Sequence, residues 1–234
     1  MIIYIGEAIG TFLFVFLSHA IIFNAVSDNH NNKISLIVTS IGVGLAYIVP
    51  CIIFGEITGG HFNPAITIAT SLSNIFERRF MVGYIVSEAI GAILASLLYS
   101  ICNREKMVRN ATVMSNYKMY LGYPNDSSYA VYFIKEIFAT FILMFAMLAI
   151  TFLYKDLSVE SSYILFFFVI VAIGFAFDYT TITANPFREL FTKLFFAPRE
   201  IKQKINMAYV LFALLAPVIG AILACKLYTM LPWE

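Results

Sequence analysis

Two short stretches, His61–Thr67 (HFNPAIT) and Thr183–Glu189 (TANPFRE), decide how this chain folds. Each places Asn-Pro at the start of a short apolar segment, where Asn is a favourable N-cap and Pro suits the first helical turn. A helix of about ten residues reaches only about 15 Å, half the thickness of a bilayer core. We therefore predict two half-helices, Pro64–Ser73 and Pro186–Phe196, whose N-termini lie at membrane depth inside protein or beside a watery cavity.

The composition of the chain is that of a membrane protein. It is 61% hydrophobic and 12% charged, with a mean hydropathy of +0.85, whereas soluble domains are about half apolar and a quarter charged. Six further stretches are long enough to span a bilayer, which takes about 20 residues. These predicted spans are Ile2–Ala25, Ser35–Phe54, Phe80–Cys102, Tyr129–Tyr154, Ser162–Phe177 and Ile205–Tyr228.

The charged residues indicate neither an enzyme nor a nucleic-acid-binding protein. The formal net charge is +1, which offers no basic surface for nucleic acid. No nucleophile–base pair, no phosphate-binding loop and no second metal ligand spaced to serve His61 stands out in the sequence. We predict no catalytic residues, metal or cofactor, and a multi-pass protein of the plasma membrane rather than of an internal membrane.

The chain also repeats itself once. IGEAIGTFLF at Ile5–Phe14 resembles IKEIFATFIL at Ile134–Leu143, and IGAILA occurs identically at Ile90–Ala95 and Ile219–Ala224. Both matches are offset by 129 residues, and the two Asn-Pro pairs are 122 apart. Each half therefore consists of two full spans, then a half-span, then a third full span. Because three full spans is an odd number, the halves enter the membrane from opposite sides, and such an inverted repeat has its functional site near the midplane.

We divide the single domain, 1–234, accordingly. Repeat one covers about 1–102, a polar solvated loop covers 103–128, and repeat two covers about 129–230. The loop carries two Asn-x-Ser/Thr sequons, at Asn110 and Asn125, which are N-glycosylation acceptors only where a loop is lumenal.

The order of these elements and the strings GGHFNPAIT and ITANPFRE resemble the aquaporin, or major intrinsic protein, family over Ile5 to about Leu227. The first string matches the family pattern H-x-N-P-A-[VI]-T in full. The second keeps Asn-Pro and Arg188 but has Phe187 in place of the usual Ala. The resemblance implies an all-α membrane fold of six tilted helices and two re-entrant half-helices, with one pore in each monomer of a homotetramer.

A pore for neutral solutes must replace lost hydration and also refuse ions and protons. In such a pore the carboxamide N–H groups of the two asparagines would donate to passing oxygens and interrupt a proton wire. The N-terminal dipoles of the half-helices would add a positive potential, about half a charge each. The predicted pore-motif residues are Asn63, Pro64, Ala65, Asn185, Pro186 and Phe187.

A guanidinium at membrane depth is costly, so Arg188 is a functional candidate by default. The resemblance makes it the selectivity-filter arginine of a ring formed by Val43, Ile173, Ile182 and Arg188. The resemblance also implies that Glu7 and Glu136 accept hydrogen bonds from the dipping loops, while we interpret His61 as a structural loop donor. We interpret His19 as a buried packing residue.

The preferred solute is predicted from a few positions. Water-selective members of the family usually carry His in the fifth span, where this chain has Ile173, so its ring is more apolar and wider. Glu189, Lys193 and Leu214 resemble the glycerol-conducting subgroup, although the aromatic pair that stacks the glycerol carbons there is not evident. We predict a passive channel for water, with glycerol or a similar small polyol as a second permeant.

Two alternatives stay open at this point. A proton-coupled secondary transporter would use Glu7 and Glu136, because buried carboxylates relay protons in pumps. A non-conducting structural protein would have Phe187 plugging the lumen. The family pattern puts both termini in the cytoplasm, which leaves much of the basic charge, in 103–128 and 197–204, outside. That contradicts the usual excess of Lys and Arg in cytoplasmic loops.

Overall fold

The computed structural model describes residues 1–27, 32–106, 129–154, 156–196 and 207–233, and all regular structure within these ranges is helical. A π-helical turn, Ala149–Leu153, extends α5, and another, Thr192–Phe196, extends α7. The helices are α1 (Ile2–Ser27), α2 (Asn32–Thr58), α3 (Pro64–Leu72), α4 (Arg78–Cys102), α5 (Tyr129–Leu148), α6 (Val159–Phe177), α7 (Pro186–Phe191) and α8 (Met207–Met230).

The predicted order of six spans and two half-helices is confirmed. Six of the described helices, counting α5 with its π-helical turn, are long and apolar enough to cross a membrane, and α3 and α7 begin at the two predicted prolines. The largest boundary differences are in α2, which runs on to Thr58, and in α6, which begins before Ser162. The start of α6 is set by Ser158, whose hydroxyl accepts the N–H of Ser161 at 3.2 Å.

The repeated IGAILA string lies where helix backbones come closest. In the first half α4 packs against α1, and in the second half α8 packs against α5. A Cβ added to Gly91 would lie 2.2 Å from the carbonyl oxygen of Ala8, and one added to Gly220 would lie 2.3 Å from that of Ile137. Small residues are required where helices in a membrane approach this closely, so both halves use the same residue for the same contact.

The half-helices join the two halves together. α3 packs against α4 of its own half and against α8 of the other, while α7 contacts α8 and, with its π-helical extension, α4 of the first half. The caps of α3 and α7 meet at the centre of the molecule, where Asn63 and Asn185 are both 1% exposed. The outer surface is apolar, as a bilayer requires: Ile52, Leu94 and Phe168 are among the exposed large side chains.

Several predictions fall outside the described residues. The stretches 107–128, with both sequons, and 197–206, with much of the basic charge, are not described. The orientation in the membrane and the division at the connecting loop therefore stay predictions.

Candidate functional site

The two asparagines cap the half-helices as predicted. Asn63 has extended backbone, and its Oδ1 accepts the N–H of Ala65 at 3.0 Å. Asn185 is also extended, and its Oδ1 accepts the N–H groups of Phe187 and Arg188, both at 3.1 Å. These bonds satisfy backbone donors that the first turn of a helix cannot pair internally.

The amide nitrogen of each asparagine crosses to the loop of the other half. Nδ2 of Asn63 donates to the carbonyl of Ala184 at 2.8 Å, and Nδ2 of Asn185 donates to the carbonyl of Phe62 at 2.9 Å. Phe62 and Ala184 both have positive φ, 45° and 51°, a conformation that costs about 1–3 kcal/mol each and turns their carbonyls toward the partner. Because Nδ2 carries two hydrogens, one N–H of each amide remains for a solute.

A buried carboxylate holds each dipping loop in place. Oε1 and Oε2 of Glu7 accept the N–H groups of His61 and Phe62 at 3.1 and 2.8 Å. In the other half, Oε1 and Oε2 of Glu136 accept the N–H groups of Thr183 and Ala184 at 2.7 and 2.9 Å. The two carboxylates lie 129 residues apart and make the same pair of bonds. These are the contacts that the family resemblance implies for Glu7 and Glu136, whose role in loop support stays a prediction.

His61 takes part in a hydrogen-bonded network of the first half. Its Nδ1 lies 2.9 Å from the hydroxyl of Thr67, which donates to Oε1 of Glu88 at 2.6 Å. Since the single hydroxyl hydrogen of Thr67 goes to Glu88, the hydrogen in the first bond belongs to His61 Nδ1. The imidazole also packs edge-on against Phe76 and Tyr84, with ring centroids 4.8 and 5.3 Å apart. His61 is thus a donor inside the loop.

Arg188 is held at the start of α7 by the loop that precedes it. It is 2% exposed, and its Nη2 donates to the carbonyls of Ile182 and Thr183, both at 3.1 Å. The guanidinium carbon lies 5.8 Å from the centroid of the Tyr179 ring. These contacts fix the cation in a small cavity, of about 30 Å³, which we call the arginine chamber.

His19 of α1 reaches the same chamber. Its Nε2 lies 2.5 Å from the hydroxyl of Thr192, and both side chains line the arginine chamber. The hydroxyl of Thr192 donates to the carbonyl of Arg188, so Nε2 of His19 carries the hydrogen of the first bond. The interpretation of His19 as a packing residue is therefore incomplete: it is buried, but it also supplies a polar wall beside the arginine.

Two more cavities share wall residues with the arginine chamber or with each other. The asparagine chamber, about 20 Å³, is lined by Asn63 and Asn185 and shares Tyr179 and Thr183 with the arginine chamber. The inner chamber, about 100 Å³, lies beyond Tyr47, which lines both it and the asparagine chamber. A one-water cavity needs about 10–15 Å³, so each of the two smaller chambers has room for one or two waters.

The predicted ring is only partly found in these walls. Val43 lines the asparagine chamber and Arg188 the arginine chamber. Ile173 and Ile182 are 2% and 0% exposed, yet neither is among the described residues that line the three chambers. Only the carbonyl of Ile182 is turned toward Arg188, and the ring of Tyr179 lies beside the guanidinium instead.

The residues around α7 that suggested glycerol conduction are buried. Glu189 and Lys193 form an ion pair one turn apart, with 4% and 2% of their side chains exposed. Leu214 of α8 is half-buried against the core. Phe187 is not among the described residues that line the three chambers. Its ring packs on Phe191 with centroids 5.4 Å apart.

Sequence reasoning missed Tyr179 and Glu88 and underrated His19. Glu88 is a carboxylate in the middle of an apolar span, which is itself a functional signal, so the sequence could have revealed it. Tyr179 stands in the DYT string that follows α6, but nothing local shows that its ring lies between two chambers. His19 contacts Thr192, which is 173 residues away, and no spacing rule covers such a contact.

Comparisons with known proteins agree with this geometry. The family model for Major intrinsic protein matches residues 2–228. This chain belongs to the major intrinsic protein family.

The relatives are similar over nearly their whole length. A probable glycerol uptake facilitator protein of Thermotoga maritima is 28% identical over 237 residues, covering 99% of this chain and 100% of that protein. The glycerol uptake facilitator protein of Streptococcus pneumoniae is 26% identical over 229 residues, covering 96% and 97%. The structure of an aquaglyceroporin from Plasmodium falciparum superposes with a TM-score of 0.81 at 20% identity, covering 96% of this chain and 93% of that one. At that identity the structural match shows the fold.

As a major intrinsic protein, the chain is an integral multi-pass membrane protein of a family of channels, not of enzymes. Membership does not favour the alternative of a proton-coupled transporter. The positions of Glu7 and Glu136 agree with this, because each carboxylate has both oxygens engaged by backbone N–H groups of a fixed loop.

Proposed function

We propose that this chain is a passive channel that conducts water and small uncharged solutes such as glycerol and excludes ions and protons. The observation that carries the proposal is the pair of asparagine amides. Each caps a half-helix, bonds the loop of the other half, and lines the same buried chamber. The two amides line one chamber, and each is held in place by its hydrogen bond to the loop of the other half. Their remaining N–H groups can therefore bind the oxygen of a neutral solute transiently.

Positive charge at two places, the N-termini of the half-helices and Arg188, would exclude cations. The N-termini of α3 and α7 meet at the asparagine chamber and contribute about half a positive charge each. Arg188 adds a full charge in a buried chamber, where electrostatic interactions are much stronger than in water. The Glu189 carboxylate also lines this chamber and is paired with Lys193. A cation passing Arg188 would be repelled by the guanidinium at a point where the cation has lost much of its hydration.

The remaining predicted residues would act as support. Glu7 and Glu136 hold the backbone of the two loops, and His61 fixes the first loop through Thr67. Pro64 and Pro186 set the first turn of each half-helix. Ala65 and Phe187 would fill space behind the asparagines, since Ala65 is 0% exposed and Phe187 packs on its own half-helix.

The assembly and membrane are proposed from the resemblance. A homotetramer in the plasma membrane, with one pore in each single-domain monomer, suits the broad apolar outer surface. Lipid covers the part of that surface that neighbouring monomers do not.

Stopped-flow light scattering on proteoliposomes tests the function directly. Vesicles with the wild-type chain should shrink faster than empty vesicles under a sucrose gradient, and should then reswell under a glycerol gradient. Asn185→Asp is a sharp variant, because its carboxylate still caps α7 but has no N–H for a solute or for Phe62. It should lower both fluxes strongly. Wild-type shrinkage no faster than that of empty vesicles would overturn the proposal.

A further inference from the structure

The DYT string, Asp178–Thr180, builds a tight turn directly after α6. The N–H of Asp178 donates to the carbonyl of Gly174 at 2.9 Å, and Asp178 has φ of 63°. Its Oδ1 accepts the N–H and the hydroxyl of Thr180 at 3.0 and 2.8 Å. A carboxylate that bonds the backbone two residues on stabilises such a turn, and the turn folds Tyr179 back against α6.

The ring of Tyr179 is held against α6 by several contacts. Its hydroxyl donates to the carbonyl of Ile170 at 2.8 Å. A Cβ on Gly174 would lie only 2.7 Å from the ring carbon Cε2, so the absence of a side chain at this position makes room for the ring. With Arg188 on its other side and 5% of the residue exposed, Tyr179 is held on several sides.

In this position Tyr179 lies between the arginine chamber and the asparagine chamber. Both cavities have Tyr179 and Thr183 in their walls. A solute that moves from Arg188 to Asn185 would pass these two shared residues, of which Tyr179 has the larger side chain. At about 30 and 20 Å³, the two chambers hold only a few water molecules, so we expect glycerol, which is larger than water, to pass more slowly.

We propose that Tyr179 is the specificity-determining residue of this passage: its ring sets the size limit between the two chambers, in favour of water over polyols. The inference rests on the proposed channel function. It places the size limit on a loop residue that follows α6, and not on Ile173 or Ile182, which are not among the described residues lining the three chambers.

Tyr47 also lines the asparagine chamber but has a different role. Its hydroxyl lies 2.9 and 2.8 Å from the carbonyls of Gly60 and His61. Its ring is packed edge-on by Phe14 and Phe166. Tyr47 is thus part of the support of the first loop, and it opens on the larger inner chamber, so it is the weaker candidate for the size limit.

The experiment measures water and glycerol permeability of the full chain in proteoliposomes for the wild type and three substitutions. Tyr179→Ala should raise the ratio of glycerol to water permeability about tenfold or more, since pocket-size discrimination commonly lies between about 10- and 200-fold. Tyr179→Leu should give an intermediate ratio. Tyr179→Phe keeps the ring and should stay within about twofold of the wild type, as even a complete loss of the Ile170 bond leaves the cross-section unchanged.

Phe168→Ala is the matched control, because it removes an aromatic ring from α6 that is 61% exposed. Its ratio should equal that of the wild type. If Tyr179→Ala does not reconstitute, Tyr179→Leu decides the question. Conducting Ala and Leu variants with the wild-type ratio would overturn the inference and leave the channel function standing. A wild-type chain with no flux above that of empty vesicles would overturn the channel function itself.

Discussion

The two half-helices share a backbone arrangement but differ in the charges they carry. α3 has no charged residue, whereas α7 with its extension has Arg188, Glu189 and Lys193. With the motif offset of 122 residues, these three replace Ile66, Thr67 and Ser71 of the first half. The cap, the crossed amide and the carboxylate under the loop are the same in both. The two halves are therefore alike in the contacts that pair backbone groups. They differ in the side chains that we propose to select the solute.

The pairing of buried carboxylates shows the same division. In the first half Glu88 of α4 accepts the hydroxyl of Thr67, so the network needs no second charge. In the second half the position of Thr67 is taken by Glu189, and the position of Glu88 is taken by Pro217. Lys193, one turn along the same half-helix, supplies the partner instead. The first half thus gives this carboxylate a hydroxyl donor, whereas the second half gives it a cation, in an ion pair beside the arginine chamber.

The largest effect is expected from Arg188→Val, which removes the charge that most distinguishes α7 from α3. Proton or cation leak should rise about tenfold or more, because a fixed charge in a low-dielectric constriction is a strong barrier. A pH-sensitive dye in proteoliposomes, read together with water flux, measures it. Ile66→Val at the equivalent position of α3 is the control and should leave the leak at its wild-type level. An unchanged leak in Arg188→Val would remove the arginine from the proposed filter.

The next effect concerns the buried ion pair. Lys193→Met leaves the carboxylate of Glu189 without its cation, which costs about 3–5 kcal/mol in a buried site. Thermal unfolding in detergent should show a clear loss, and the double variant Glu189→Gln/Lys193→Met should recover most of it. Ser71→Ala at the equivalent position of α3 leaves no charge behind and should cost less than about 1.5 kcal/mol. A double variant as unstable as the single one would show that the pair is not the cause.

A smaller and symmetrical effect is expected at the two repeated glycines. Gly91→Ala and Gly220→Ala each push a methyl group into the backbone of the neighbouring helix, and overpacking of this kind costs about 1–3 kcal/mol. The two midpoints of unfolding should fall by similar amounts, with exposed Leu94→Ala as a control that changes little. If only one of the two variants is destabilised, the halves are not packed alike.

The smallest effect is expected from Phe187→Ala, at the position where α7 departs from the family motif. Because the ring packs on Phe191 and lies outside the chamber walls, water flux should stay within about twofold of the wild type. The reciprocal change in the first half, Ala65→Phe, puts a ring where 0% of the residue is exposed and should impair folding or flux. A large gain of flux in Phe187→Ala would show that the ring obstructs the passage.

Much of this arrangement follows from local sequence patterns. The apolar runs, the two Asn-Pro starts and the repeated Glu7 and Glu136 were enough to predict six spans, two half-helices and an inverted order. They succeed because span length, helix capping and the placement of a carboxylate in an apolar helix depend on neighbouring residues. The starts of α3 and α7 were predicted to the residue for this reason, whereas the end of α2 and the start of α6 were not.

What only the tertiary structure decided is which side chains face the passage. His19, Tyr179 and Arg188 come from a span, a turn and a half-helix, and their meeting depends on how α1, α6 and α7 pack. The predicted ring relied on spacing from Asn185, which cannot account for the Asp178 turn that brings the Tyr179 ring back over Gly174. Local patterns determine the elements and their order, but a chamber wall is made by distant residues whose convergence is set by packing.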